Sequence, residues 1–488
     1  MQNPVLKPSR DEKLRPLCVD LDGTVILTDM FWESVVILLK LNLLYLFALP
    51  YWFLFGIASL KSEIAKRIVL KPNLLPYNER FLSYLNLEKK AGRRLILVTA
   101  TNSLIANKIS NFLGIFDEVI ASDNKINISG KQKRDILISR FGVSGFDYAG
   151  NSRKDLKIWQ AADNSIIVNA HPIILHRSKQ SSNVVQVFAR DHSSVLELLQ
   201  SMRIHQWLKN LLLFVPIVTK HQTVDGALIL NALTAFFAFS FSASAVYLIN
   251  DILDIESDRS HPSKKFRPIA LGTLGLNTAF ASAITFFLLA LLISVNLPTS
   301  FTILLGGYVL ITSLYTVYLK RVALLDVITL ASLYALRILA GGAATEIILS
   351  DWLIAFSMFF FLSLAFLKRF TELNGMLQNG AAINGEHKIN GRGYLSGDAN
   401  QIANLGVTSG YIAVLVLALW ASSEETAMLY ANPIRLWFVC PLVLYWISRL
   451  WLLGNRGEID EDPVLYSAKD LTTYLVGLFA GLILFFAS

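Results

Sequence analysis

Residues 227–259 read ALILNALTAFFAFSFSASAVYLINDILDIESDR. The run 227–249 is overwhelmingly apolar and long enough for an α-helix that crosses a bilayer, which takes about 20 residues. It ends in Asn250, Asp251, Asp254 and Asp258, and a basic cluster of Arg259, His261, Lys264, Lys265 and Arg267 follows at once. Continued as a helix, Asp251, Asp254 and Asp258 are spaced by three and four residues and share one face. Three carboxylates on one stripe repel each other unless a cation joins them, and oxygen ligands at this spacing suit Mg²⁺. Ionisable residues at the mouth of a membrane bundle mark function.

Outward from this stretch, the whole chain follows the same logic. Of its 488 residues 54% are hydrophobic and only 16% are Asp, Glu, Lys or Arg, against about 25% charged in a soluble protein. The mean hydropathy is +0.50, and one large water-soluble globule is excluded. Apolar runs at 207–222, 227–249, 274–294, 300–319, 323–344, 352–367, 403–421, 432–453 and 471–487 predict about nine spans. The net charge of +8 is spread over span ends and not gathered into one basic face, which argues against a nucleic-acid partner. With a cytosolic amino terminus, the even-numbered loops hold Arg259, Lys264, Lys265 and Arg267, then Lys320 and Arg321, then Lys368, Arg369, Lys388 and Arg392, then Arg456 and Lys469. The loop near 422–431 carries Glu424 and Glu425 and no basic residue, so one topology satisfies the positive-inside pattern. Cys18 and Cys440 make no disulfide framework or metal cluster. The first twenty residues carry Lys7, Arg10, Asp11, Glu12, Lys13, Arg15 and Asp20 and no apolar core, which reads against a secretory signal.

Residues 1–192 are polar enough to be cytosolic and form the first predicted domain, with 193–488 the second. Apolar strands at 14–22, 94–99, 146–149 and 165–168 alternate with helical patterns at 102–113, 131–141 and 154–162, the arrangement of a parallel α/β sheet. In such sheets the reactive groups lie beyond the carboxyl ends of the strands, and Asp20, Asp22, Thr99, Asn151 and Asp155 all fall there. The run 35–58 is long enough for a further span, but a single crossing would separate Asp20 from Thr99 and Asp155. A cap near 28–80 whose helices lie on the bilayer, broken at Pro50, keeps the site together; a buried helical pair in an ordinary cap is the alternative.

Asp20 and Asp22 alternate at a strand exit and point to the same side, while Gly23 allows a close turn. One carboxylate can attack phosphorus while the other protonates the leaving oxygen. Asp20 to Thr24, the strand end Val98-Thr99-Ala100, a lysine just after Gly130 and the segment Gly150 to Asp155 resemble the four motifs of haloacid dehalogenase-like phosphatases over residues 14–175. The resemblance implies a Rossmann-like sheet with a cap, Asp20 as nucleophile, Asp22 as general acid and base, and Thr99 and Lys133 as phosphate ligands, with Lys131 a rival to Lys133. It further implies Mg²⁺ held by Asp20, Asp22, Asn151 and Asp155. Asn151 stands where an acidic residue is common and brings a carbonyl oxygen without its charge.

The Asn250 to Asp258 pattern resembles the first aspartate motif of UbiA-type membrane prenyltransferases, over residues 203–488. Aromatic-acceptor members carry a second acidic motif after the sixth span, where this chain has Lys368-Arg369-Phe370-Thr371-Glu372. His205 to Asn210, Arg267-Pro268, Lys320 with Asp326, Tyr334 with Arg337, and Lys368 to Glu372 resemble the decaprenyl-phosphate phosphoribosyltransferase branch. That branch implies 5-phosphoribosyl 1-diphosphate as donor and a polyprenyl phosphate as acceptor. It implies metal ligands Asp251, Asp254 and Asp258, and substrate ligands Lys209, Asn250, Lys264, Arg267, Lys320, Asp326, Arg337, Lys368, Arg369 and Glu372. The expectation is a bifunctional, Mg²⁺-dependent, multi-pass enzyme of the inner (cytoplasmic) membrane with its first domain in the cytoplasm. It makes a polyprenylphosphoryl ribose for cell-envelope glycan synthesis, with oligomeric state left open. An aromatic-acceptor prenyltransferase with a regulatory first domain, and a scaffold or transporter without catalysis, are the alternatives.

Overall fold

The computed structural model describes residues 15–190, 194–219, 225–378, 392–459 and 462–487. It divides into two compact units, 1–202 with 248–282, and 203–247 with 283–488. The boundary expected at 192–193 and the expected loop residue Lys388 lie outside the described residues.

The first unit is built on six parallel strands, β1 (Leu17–Val19), β2 (Leu95–Asn102), β3 (Glu118–Ser122), β4 (Asp147–Gly150), β5 (Ser165–Val168) and β6 (Val184–Phe188), in the order β3-β2-β1-β4-β5-β6. The three residues of β1 are fully buried, and Cys18 pairs with Ile96 of β2 on one side and Tyr148 of β4 on the other. A central parallel strand is covered on both faces, which is why its sequence is uninterrupted Leu-Cys-Val. Strand order reverses at β1, so Asp20 and Asp22 leave the sheet at the crevice where such folds bind ligands. The Cys18 thiol is pushed up to about 12 by burial and by Asp147.

The cap inserted after Asp22 holds helices Met30–Leu41, Tyr45–Leu54 and Ile57–Arg67. The first is started by Asp29, whose carboxylate accepts from Phe31 N. Helix Tyr45–Leu54 contains Pro50 and buries none of its residues. Leu46, Phe47, Tyr51, Phe53, Leu54 and Phe55 are all exposed. The residues 248–282 that join this unit complete its contacts: Trp32 packs on Phe280, and Thr273 donates to Glu197.

Among its described residues the second unit holds helices and no strand. Seven helices among the described residues are long and apolar enough to cross a membrane: Gly226–Leu253, Leu276–Ser294, Thr299–Val317, Leu325–Thr345, Asp351–Gly375, Ala399–Ala421 and Pro433–Asn455. The first and last expected spans are the shorter apolar helices Ile204–Val218 and Leu471–Ala487; Ile204–Phe214 is wound as a 3₁₀-helix. Small residues bring helices close: a Cβ on Gly406 would meet the Trp451 ring at 2.1 Å, and one on Gly410 would meet Ile447 at 2.7 Å.

Candidate functional site

In the first unit the expected phosphatase residues converge. Lys133 Nζ donates to Asp20 Oδ1 at 2.7 Å and to Tyr148 Oη at 3.2 Å, and Tyr148 in turn donates to Asp155 Oδ1 at 2.9 Å. Asp155 Oδ2 accepts from Ser152 N, Ser152 Oγ and Asn151 N. Lys133 is buried whereas Lys131 is exposed, so Lys133 is the lysine that reaches Asp20. Asp22 accepts from Met30 N through Oδ1 and from Thr101 Oγ1 through Oδ2. Thr99 is fully buried and accepts from Thr101 N. Gly23 has φ +72°, and a Cβ there would lie 1.9 Å from Asn151 Nδ2, so only glycine lets the Asn151 amide reach the loop.

The electrostatics suit acid–base work. Burial raises Asp20 to about 6, with Lys133 opposing the rise and Asp155 adding to it. Burial, then Asp29 and Asp20, raise Asp22 to about 7. A carboxyl group half protonated near neutrality can give a proton to a leaving oxygen and take one back. Burial disfavours the Lys133 ammonium, yet Asp20 and Asp155 hold its pKa above the ordinary value.

The aspartate motif departs from the single stripe expected. Helix Gly226–Leu253 ends before Asp254, and a new helix, Ile255–Ser260, begins after it. Hydrogen bonds from Asp254 N to Asn250 O and from Asp258 N to Asp254 O carry the turn across the break. Asp251 and Asp258 are buried, and Arg267 Nη1 bridges them at 3.0 and 2.7 Å; Asp254 is half-buried. Among the described residues no three His, Cys, Asp or Glu side chains converge to hold a metal ion. Asn250 is half-buried and Lys264 exposed.

In the second unit, Lys209 and Lys368 donate to the same oxygen of Asp462, each at 2.7 Å. Tyr334 Oη donates to the other oxygen at 3.5 Å, and the Lys209 ammonium lies 5.5 Å from the Tyr334 ring centre. Burial opposes ionisation of Asp462, but Lys368 and Lys209 hold it well below the usual carboxylate range. Arg337 is buried and donates to Asn210 Oδ1 at 2.9 Å, Leu333 O at 2.5 Å and Tyr308 Oη at 3.2 Å. Asn210 passes the network on to Ser240.

Asp326, Arg369 and Glu372 were expected among the substrate ligands, and the structure turns them toward one another. Arg369 and Asp326 are fully buried; Arg369 Nε donates to Asp326 at 2.6 Å, its other nitrogens to Glu372 and to Tyr315 Oη, and Tyr394 donates to Asp326. A charge this deep is tolerable only when paired, so this set locks helix Leu325–Thr345 to helix Asp351–Gln378. Lys320 is half-buried in the turn Leu319–Arg321.

Residues 217–475 match the family model described as the UbiA prenyltransferase family, and residues 17–145 match the haloacid dehalogenase-like hydrolase model. The chain belongs to the UbiA prenyltransferase family. An uncharacterized protein of Sinorhizobium fredii is 35% identical over 96% of this chain and 90% of its own length. The nodulation protein NoeC of Azorhizobium caulinodans is 33% identical over 58% of this chain and 91% of its own. The decaprenyl-phosphate phosphoribosyltransferase of Mycolicibacterium smegmatis is 31% identical over 56% of this chain and 86% of its own. This UbiA protein is therefore an integral membrane transferase that carries a haloacid dehalogenase-like domain ahead of its helices.

Several groups in these networks escape sequence reading. Asp462 precedes Pro463 and reads as a simple helix cap, which it also is, accepting from Val464 N. Thr101, Tyr148 and Tyr308 carry no motif; only the strand-end position of Thr101, two residues beyond Thr99, could have flagged it.

Proposed function

We propose that this UbiA protein transfers 5-phosphoribose from 5-phosphoribosyl 1-diphosphate to a polyprenyl phosphate and then removes the 5-phosphate with its first domain. The product is a polyprenylphosphoryl ribose for cell-envelope glycan synthesis. The observation that carries this reading is the meeting of Lys209 and Lys368 on one carboxylate. An acceptor that is itself a phosphate calls for cations, and here two ammonium groups are gathered where aromatic-acceptor relatives need more acid. The mycolicibacterial relative, named a decaprenyl-phosphate phosphoribosyltransferase, supports passage of a phosphoribosyl group to a polyprenyl phosphate.

In the transfer, the bond from ribose C1 to the diphosphate breaks as the lipid phosphate oxygen attacks C1 from the other face. Lys209 and Lys368 take the lipid phosphate, with Asp462 keeping the two ammonium groups together until it arrives. Arg337, locked by Asn210 and Tyr308, adds fixed positive charge. Arg267 and Lys264 meet the diphosphate beside Asp251, Asp254 and Asp258. In the second step Asp20 attacks the 5-phosphorus as the ribose oxygen leaves with a proton from Asp22, and Thr99 and Lys133 hold the phosphoryl oxygens. Water deprotonated by Asp22 then hydrolyses the aspartyl phosphate, releasing inorganic phosphate and restoring Asp20.

The donor sets Asp251, Asp254 and Asp258, and Asp20, Asp22, Asn151 and Asp155, consist of oxygen alone. That fits Mg²⁺, which takes one or two carboxylates and completes its shell with substrate phosphate and water. Bound there, Mg²⁺ would neutralise phosphate charge at each site. The basic loops support a first domain on the cytoplasmic side of the inner membrane.

The test incubates the purified chain with radiolabelled 5-phosphoribosyl 1-diphosphate, Mg²⁺ and decaprenyl phosphate. Label entering the organic phase supports the reading. Label entering lipid only from a prenyl diphosphate and an aromatic acid would replace it with the aromatic-acceptor alternative.

A further inference from the structure

Lys61 sits on cap helix Ile57–Arg67, and its Nζ donates to Ala100 O at 2.7 Å and Asn127 Oδ1 at 3.0 Å. Ala100 separates Thr99 from Thr101, the residue that donates to Asp22, so the ammonium stands at the rim of the phosphatase site. Both of its partners are neutral oxygens. Lys133, by contrast, is neutralised by Asp20. Burial disfavours the Lys61 charge, while Asp22 and Asp29 sustain it from a distance. An ammonium has three N–H donors, and two are used here.

Beside Lys61 lies a shallow, solvent-open cleft between cap and sheet, lined by Met30, Phe31, Ile64 and Ile105 on its apolar side and by Thr101. The cleft thus offers a positive charge and then a greasy wall, a short reach from a site built to cleave a phosphate ester. A free sugar phosphate would use neither.

We propose that Lys61 and this cleft form the specificity subsite of the phosphatase, reading a phosphodiester anion and the first apolar unit attached to it. The inference rests on the phosphatase half of the function proposed above. It states how the domain tells the lipid-linked 5-phosphoribosyl ester from soluble sugar phosphates: Asp20, Thr99 and Lys133 take the 5-phosphate, Lys61 takes the diester at C1, and Phe31 and Ile64 cover the start of the isoprenoid.

The experiment measures kcat/KM for phosphate release by the full chain on three esters: ribose 5-phosphate, its 1-(ethyl phosphodiester), and its 1-(farnesyl phosphodiester). The wild type should favour both diesters, the farnesyl one most. Lys61→Met should lower kcat/KM for the diesters about tenfold or more beyond any loss on ribose 5-phosphate, the size of one charge-assisted hydrogen bond. Lys61→Arg should keep the discrimination, and Phe31→Ala should narrow only the farnesyl-over-ethyl preference, which keeps the test valid if Lys61→Met does not fold. Equal losses on all three esters would make Lys61 a brace for the Ala100 loop and overturn the inference alone. A wild type that cleaves ribose 5-phosphate but neither diester would overturn the phosphatase reading together with it.

Discussion

Arg259 grips Glu33 through both terminal nitrogens, at 2.5 and 3.2 Å, and both side chains are nearly sealed from solvent, at 7% and 2% exposure. Its Nε donates to Ala270 O. Glu33 lies one turn into the helix whose first N–H, on Met30, binds Asp22; Arg259 directly follows Asp258. One ion pair therefore joins the helix whose first N–H holds Asp22 to the turn that ends the aspartate motif.

Removing one partner of a buried pair strands the other charge, at about 3–5 kcal/mol. Glu33→Ala should lower stability by that order, and Glu33→Ala combined with Arg259→Met should lower it less than the first change alone. Denaturant unfolding of Glu33→Ala, Arg259→Met and the double variant, followed by proteolysis, checks the coupling; additive losses would show that the pair is not a unit.

Asp462 gathers two ammonium groups that would otherwise repel. Asp462→Ala should cut transferase kcat/KM by about tenfold or more, on the scale of a lost charged hydrogen bond, while Asp462→Glu restores part of it. Transfer rates at saturating and limiting polyprenyl phosphate decide whether the loss falls on acceptor use.

The aspartate motif gives the metal prediction. Chelation with EDTA should stop lipid labelling and added Mg²⁺ should restore it, while Asp254→Ala should remain inactive at any Mg²⁺ concentration. Full activity of that variant would take Asp254 out of the mechanism.

Helix Tyr45–Leu54 exposes apolar side chains without burying any, a surface suited to the bilayer interface. Nitroxides at positions 47 and 54 of the liposome-reconstituted chain should be reached by oxygen and shielded from a water-soluble nickel chelate. Equal access to both relaxants would put this helix in water.

The central strands of the sheet were legible because β1, β2, β4 and β5 are nearly continuous buried runs that end in polar residues. The two strands that sequence reading missed, β3 and β6, are the two edges of the sheet. Edge strands bury fewer residues: Glu118–Ser122 has only three apolar residues between Glu118 and Ser122, whereas Val184–Phe188, Val-Val-Gln-Val-Phe, carries an apolar strand pattern although the edge leaves it at most partly buried. Spacing placed Asp251, Asp254 and Asp258 together but could not show the helix break at Asp254 or the Arg267 bridge between Asp251 and Asp258. Lys61 was hidden because an amphipathic cap helix normally carries lysines, and only the fold shows which one turns inward.

The sharpest measurement compares the lipids made from 5-phosphoribosyl 1-diphosphate and decaprenyl phosphate by the wild-type chain and by Asp20→Asn, using mass spectrometry. The wild type should yield the polyprenylphosphoryl ribose, and Asp20→Asn should accumulate a lipid heavier by one phosphoryl group, since its amide cannot attack phosphorus while the transferase still works. Identical lipids from the two proteins, or no ribosylated lipid from either, would contradict the two-step account.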